Sequence, residues 1–163
     1  MKKNFTVLLM MLMLCGCAVQ TFEKVEDEND ITAMAEPATL LIDLPEDAAV
    51  PAMEGSSGTL YFCGDYDIMV EVLSSGNLND TLQTLTGFEQ EELNLIKTQR
   101  CGVDCYEGAW SAAGEAGDHV GRVLILDDGK FHYCVSVIAL AEDAGLCSED
   151  WNDILESVAL AEG

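Results

Sequence analysis

Two segments of the chain alternate apolar and polar residues with a period of two, and this pattern constrains the fold most strongly. In residues 66–73 the apolar set is Tyr66, Ile68, Val70 and Val72. In residues 130–140 one face carries Phe131, Tyr133, Val135 and Val137, opposite His132, Cys134 and Ser136. Successive side chains of a strand point to opposite faces, so the pattern predicts two half-buried strands with His132 on an exposed face.

Turn residues place further strands around these two. Gly64 follows a short strand at 60–63, and Gly129 follows a strand at 120–127, so each marks a hairpin. Other apolar runs predict additional strands at residues 39–44, 93–100 and 106–113. We therefore expect a mainly antiparallel sheet.

Helical spacing appears in two places. Leucines at 78, 82 and 85 recur at helical spacing, with Asn77 or Asn79 as a suitable N-cap and Gly87 as a suitable stop. Ser148 is a second candidate cap, before an apolar face made of Trp151, Ile154, Leu155 and Val158. Because strands occur in runs with helices inserted between hairpins, the sequence predicts an α+β fold with a few helices instead of a doubly wound one.

The N-terminus has the pattern of an export signal. Lys2 and Lys3 precede an apolar run at 5–14 that is interrupted only by a threonine. This run is short for a membrane-spanning helix, which needs roughly 20 predominantly apolar residues. An uncleaved N-terminal anchor stays open as an alternative, because no charge interrupts residues 4–22.

The end of this signal resembles the lipobox of bacterial lipoproteins. Leu14 stands three residues before Cys17, and Gly16 stands immediately before it, whereas Cys15 occupies a place that is usually small or β-branched. The resemblance implies that residues 1–16 are a signal peptide and that Cys17 carries the lipid. Two or more acyl chains give stable anchoring. The chain is therefore expected to be held to the cell membrane by lipid, on the extracytoplasmic side.

The mature chain is strongly acidic, and this excludes one class of partner. Removal of Lys2 and Lys3 changes the formal charge from −23 to −25. Nucleic acid is not an expected partner, because its binding depends on lysine and arginine neutralising phosphates. Residues 17–38 are rich in acids and poor in large apolar residues, so we interpret them as the lipidated end and a flexible linker. Residues 39–163 are expected to form one domain.

The order of elements resembles the PsbP-like fold, named for the extrinsic photosystem II protein. The resemblance spans about residues 39–160 and lies in three segments: the opening run 41–45, the meander around 127–130 and the closing helix 151–158. It implies a PsbP-like sandwich that binds or organises another protein, without a shared catalytic centre. No functional residue carries over from it.

The cysteines suggest a structural clip. Cys101 and Cys105 bracket a predicted three-residue hairpin loop, so their side chains face each other at a distance that a disulfide can bridge. Their spacing and context do not fit a redox-active Cys-x-x-Cys pair. The remaining cysteines are Cys63, Cys134 and Cys147. Pairing of Cys134 with Cys147 and three buried free thiols both stay open.

The sequence contains no recognisable catalytic or metal site. His119 and His132 are too distant from the Cys101 pair to complete a familiar zinc spacing, and hydrolase, metalloprotease and phosphate-loop motifs are absent. We therefore expect no catalytic residue, metal ligand or cofactor. The favoured interpretation is a non-catalytic module that binds an extracytoplasmic protein, with Trp110 as a candidate exposed contact. An unrecognised envelope enzyme is the alternative.

Overall fold

The computed structural model describes residues 36–48, 51–55 and 58–161. The predicted signal peptide, Cys17 and nearly all of the acidic linker lie outside these residues. Within the described ranges, neither helix is both long and apolar enough to span a bilayer.

Most strands belong to one antiparallel sheet. In chain order they are β2 (Met53–Glu54), β3 (Gly58–Cys63), β4 (Tyr66–Ser74), β5 (Ile96–Arg100), β6 (Val103–Ala112), β7 (His119–Asp127) and β8 (Phe131–Leu140). Their spatial order is β2-β3-β4-β8-β7-β6-β5, so two meanders meet where β8 pairs with β4. A separate ladder joins β1 (Leu40–Leu41) to β9 (Ala159–Leu160). The predicted α+β class with a mainly antiparallel sheet is confirmed.

The first helix, α1 (Leu78–Thr86), connects the two meanders. The side chain of Asn77 caps it by accepting a 3.0 Å hydrogen bond from the backbone N–H of Asn79. Gly87 ends it in a left-handed conformation, with φ of 80°. Both ends agree with the prediction. Such caps satisfy backbone groups that the helix itself leaves unpaired.

The second helix, α2 (Ser148–Ser157), follows the sheet. Its N-cap is Cys147, and no side chain caps it there. The predicted cap is therefore wrong by one residue: Ser148 is the first helical residue, and its hydroxyl donates to the backbone carbonyl of Gly145. The predicted apolar face is confirmed, because all four of its members are buried: Trp151, Ile154, Leu155 and Val158.

Each face of the sheet packs against one helix. On the face that we call the α2 face, Tyr133, Val135 and Val137 of β8 pack with the apolar side of α2. On the opposite face, the α1 face, Val123 and Ile125 of β7 and Cys134 of β8 pack with Leu82 of α1. The central strands are therefore buried on both sides, and burial of apolar surface is the main force that holds both helices on the sheet.

The prediction that His132 is exposed is wrong. Its side chain is on the α1 face and only 1% exposed, because α1 covers this part of β8. Thr81 of α1 and His132 share a buried hydrogen bond, with 2.7 Å between Oγ1 and Nδ1. The other ring nitrogen, Nε2, lies 3.6 Å from Oδ2 of Asp127. Polar groups buried in this way are tolerated because they are paired.

The predicted disulfide between Cys101 and Cys105 is not formed, and both cysteines are free. The loop is shorter than predicted: Arg100 pairs with Val103, so Cys101 and Gly102 alone make the turn. Both have positive φ, 53° and 78°, as a two-residue turn of type I′ requires. Cys101 is thus exposed at the tip, whereas Cys105 is buried in β6.

The other described cysteines are three buried free thiols, which was one of the two alternatives. The pairing of Cys134 with Cys147 is excluded, because Cys134 is in the core on the α1 face and Cys147 is in the core on the α2 face. Burial raises the pKa of Cys63 to about 11 and that of Cys134 to about 12. Thiols with such pKa values stay protonated near neutral pH and are poor nucleophiles.

Candidate binding surface

The α1 face of the sheet is only partly covered. Helix α1 packs over β6, β7 and β8, and apolar side chains of β2, β3 and β4 lie beyond it. We call this uncovered region the open face; it consists of Met53, Leu60, Phe62 and Met69. Met53 pairs with Leu60 and Leu60 with Met69, so these three side chains form one row across the strands.

The open face exposes a large apolar area. The exposed fraction is 65% for Met53, 57% for Phe62 and 38% for Met69. Single exposed apolar side chains are ordinary on protein surfaces, but a contiguous group is typical of a binding site. Methionine adds adaptability, because its unbranched side chain can fit partners of different shapes.

A groove of about 200 Å³ runs along the open face beside Met53, Leu60 and Met69. Glu54 and Glu71 stand at its margin. Burial raises the pKa of the Glu71 carboxyl. The groove therefore combines an apolar floor with an acidic border, an arrangement that suits an apolar segment flanked by positive charge.

A second groove, the aromatic groove, lies at the other end of the α1 face. Its volume is about 360 Å³, and it is lined by Phe88, Glu92, Leu93, Asn94, Ala109, Trp110 and Ser111. The indole of Trp110 lies directly on Gly121 of β7, where an added Cβ would be 2.5 Å from the ring. Glycine is therefore needed at this position. Trp110 is half-buried, so it is less exposed than predicted, and its role as a contact residue stays a prediction.

Phe88 forms the opposite wall of the aromatic groove. Its ring centroid is 6.2 Å from that of Trp110, and the ring planes are tilted by 42°. Phe88 follows the stop of α1, where its backbone N–H donates to the hydroxyl of Thr86 at 3.1 Å. The end of α1 thus fixes the position of this ring.

A short 3₁₀ turn (Gln90–Glu92) completes the aromatic groove, and α1 holds it in place. The side chain of Asn79 accepts from the backbone N–H of Gln90 at 2.6 Å and donates to the carboxylate of Glu89. The carboxylate of Glu92 accepts from the backbone N–H of Glu89 at 2.9 Å, which makes a capping box. Glu92 is therefore held in position by its own turn.

The two grooves belong to the same face of the sheet. Phe62 pairs with Asp67, Asp67 with Ile138, Ile138 with Gly121 and Gly121 with Trp110. Paired residues of neighbouring strands share a face. A partner lying across this row would reach from the open face to the aromatic groove.

The buried group formed by Thr81, His132 and Asp127 has the residue types of a hydrolytic triad. Its geometry does not serve catalysis, because the hydroxyl and the imidazole are enclosed between α1 and the sheet. A nucleophile must be reachable by substrate. We assign these residues to attachment of α1. In the described ranges, no three histidine, cysteine or acidic side chains converge as metal ligands would.

The described residues among those predicted from sequence, Cys101 and Cys105, do not form one site. Cys17 lies outside the described residues, and neither Cys101 nor Cys105 lines either of these two grooves. The open face and Phe88 were not predicted from the sequence. Two features of the sequence could have indicated the open face. Leu60 and Phe62 are two residues apart and so share one face of β3, and Met69 is on the face of β4 opposite its core residues.

Neither a protein-family model nor a curated protein sequence matches this chain. Solved structures do. LpqN, which is involved in cell envelope biogenesis of Mycobacterium tuberculosis, aligns with a TM-score of 0.51 at 15% identity, over 78% of this chain and 87% of LpqN. This chain shares the fold of LpqN.

A protein from Bacteroides thetaiotaomicron also aligns with a TM-score of 0.51, at 12% identity. The alignment covers 76% of this chain but only 45% of that protein, which is much longer than the shared fold. At such identities the likeness concerns the fold alone, because unrelated functions recur on one fold.

Proposed function

We propose that this protein is an exported lipoprotein, anchored through Cys17, whose domain is a non-catalytic module that binds another protein at the cell envelope. The observation that carries the proposal is the open face. Its exposed methionines and phenylalanine form a contiguous apolar group, although a helix covers the central part of the same sheet face. Apolar groups of this kind on soluble domains are typical of protein interfaces.

Two further points support the cellular location. The segment ending at Cys17 resembles a lipobox, and LpqN, which has the same fold, is involved in cell envelope biogenesis. The PsbP-like resemblance of the sequence agrees with a binding role. The acidic composition matters too, because the domain should be repelled by anionic headgroups and should face away from the membrane.

The anchor is tested by mass spectrometry of the membrane fraction. We expect a mature N-terminus at diacylated Cys17, and we expect Cys17→Ser to abolish both the cleavage and the lipid. Cys15→Ser is the matched control and should be processed normally, because it leaves Gly16 and Cys17 in place. An unsubstituted chain that retains Met1 in the membrane and carries no lipid would show an uncleaved anchor instead.

The binding role is tested by photo-crosslinking in the intact envelope. A photoreactive phenylalanine analogue at Phe62 or Met69 is expected to give the same discrete protein adduct. At Leu146, which is 78% exposed but isolated from the open face, it should give none. We expect this difference because the partner would bury the side chains of the open face, whereas it would not contact Leu146.

A pair of substitutions distinguishes a specific interface from non-specific apolar binding. Phe62→Ser should strongly reduce the adduct formed from Met69, because it removes the largest apolar side chain of the open face. Ile96→Ser removes an equally exposed apolar side chain on the far edge strand β5 and should leave the adduct unchanged. Equal labelling from Leu146, or no adduct at either position, would refute the proposed interface.

A further inference from the structure

The aromatic groove has a chemical preference of its own. Its walls are the rings of Phe88 and Trp110, and Glu92 is the one charged residue among those that line it. The faces of aromatic rings carry negative electrostatic potential, so a cation within about 6 Å of a ring centroid is attracted to them. A carboxylate beside two such rings adds to that attraction. The groove therefore favours an organic cation over a neutral or anionic group.

The net charge of the protein also favours a cationic ligand. The chain has 30 acidic and 7 basic residues. A strongly negative protein attracts cationic partners and accelerates their association. No lysine or arginine lines the groove to compete for Glu92 from within.

The edge of the sheet beside the groove can also receive a peptide. Strand β5 begins at Ile96, which pairs with Glu107, and Leu95 and the backbone of Asn94 still lie beside Gly108. From Ala109 to Ala112, β6 has no neighbouring strand on that side in the described structure. Ala109 and Ser111, on this same stretch, line the groove and are exposed. Unpaired strand edges are templates for added strands, which bind by backbone hydrogen bonds.

We propose that the aromatic groove binds an arginine side chain of a partner protein, presented by an extended segment that pairs with the outer edge of β6. Arginine fits better than lysine because its planar guanidinium stacks on aromatic rings and bonds a carboxylate with two N–H groups. This inference rests on the proposed binding function and adds the chemistry of the partner.

The test uses the mature chain, residues 17–163 carrying Cys17→Ser, labelled with ¹⁵N. The probe is an acetylated and amidated peptide, Thr-Val-Arg-Val-Thr, and its control replaces arginine with the neutral isostere citrulline. The indole N–H signal of Trp110 should shift on titration, whereas that of Trp151, buried between α2 and the sheet, should not. We expect the citrulline peptide to bind about tenfold more weakly, because it lacks the cation.

Two variants assign the binding to named side chains. Glu92→Gln should weaken binding of the arginine peptide about threefold, since glutamine keeps the capping box but loses the charge. Glu91→Gln, in the same turn but outside the groove, is the matched control and should bind as the parent does. Trp110→Leu should weaken binding about tenfold or more, measured from the backbone signals of Ala109 and Ser111.

Three results would overturn the proposal. The first is equal binding of the arginine and citrulline peptides, and the second is the absence of any shift at Trp110. The third is a shift by choline as large as that by the peptide at equal concentration, which would indicate a site for free organic cations. None of these would alter crosslinking at Phe62 and Met69, which lie on β3 and β4 at the other end of the same sheet face, so the two proposals fail separately.

Discussion

Trp151→Ala is expected to lower the free energy of unfolding by about 3–5 kcal/mol, the usual cost of truncating a buried tryptophan. Trp151 is only 3% exposed and meets the ring of Tyr66 edge to face, with 6.4 Å between centroids. It is the largest side chain that fixes α2 on the sheet. Small domains are stable by about 5–15 kcal/mol, so much of the stability should be lost. Urea unfolding followed by circular dichroism measures this directly.

Two controls make the result specific. Phe62→Ala removes an aromatic ring of similar kind from an exposed position, and it should change the stability by about 0.5 kcal/mol or less. Trp151→Phe should cost much less than Trp151→Ala, because it keeps a ring and removes an indole N–H that has no partner among the described residues. Similar losses for Trp151→Ala and Phe62→Ala would mean that α2 is not fixed by this contact.

The second large effect is expected at the buried bond between α1 and the sheet. His132→Leu and Thr81→Val should each lower the free energy of unfolding by about 1–3 kcal/mol, because each leaves a buried polar group without its partner. The double variant should cost clearly less than the sum of the two. Once both polar groups are gone, neither side of this contact leaves an unpaired polar group.

The double-mutant cycle is measured by urea unfolding of the four proteins at one pH. A coupling energy of about 1 kcal/mol or more would support a direct interaction, since residues in contact are not additive. Strict additivity would contradict the 2.7 Å hydrogen bond. Thr84→Val is a matched control: its hydroxyl is on the exposed side of α1 and bonds only the carbonyl of Asp80. Its effect on the free energy of unfolding should be additive with that of His132→Leu.

The fold was predictable where local patterns determine structure. The alternation in β4 and β8, the stops at Gly64 and Gly129 and the caps of α1 depend on neighbours in the sequence, and all are present. The predictions failed where tertiary packing determines which residues are buried. Cys134 and Ser136 look compatible with an exposed strand face, but α1 packs on that face and buries it together with His132.

The turn between β5 and β6 shows a second kind of failure. Gly102, Val103 and Asp104 form a plausible three-residue loop, whereas the structure uses a two-residue turn that puts Cys101 at positive φ. Positive φ is uncommon for residues other than glycine, asparagine and aspartate. The cysteine spacing alone therefore favoured a three-residue loop, which was wrong. The predicted disulfide depended on that loop.

The grooves could be predicted least of all. Phe88 and Trp110 come from different elements, and only the reversal of the chain after α1 brings their rings together. The open face depends on how much of the sheet α1 covers, and sequence periodicity does not indicate this. Trp110 was noticed because large aromatic residues are enriched in interfaces, but its neighbour Glu92 carried no comparable signal.

The pairing of β4 with β8 has a consequence for how the chain folds. Ser74 lies opposite Phe131 and Tyr66 opposite Ala139, so the two meanders cannot join into one sheet until the last strand of the second is available. The β1–β9 ladder adds a still longer-range pairing, between Leu40 and Leu160. Sheets built from such distant pairings fold slowly, because the chain must close large loops before the contacts form. A chain exported from its N-terminus would thus acquire its native sheet only after nearly all of it had crossed the membrane.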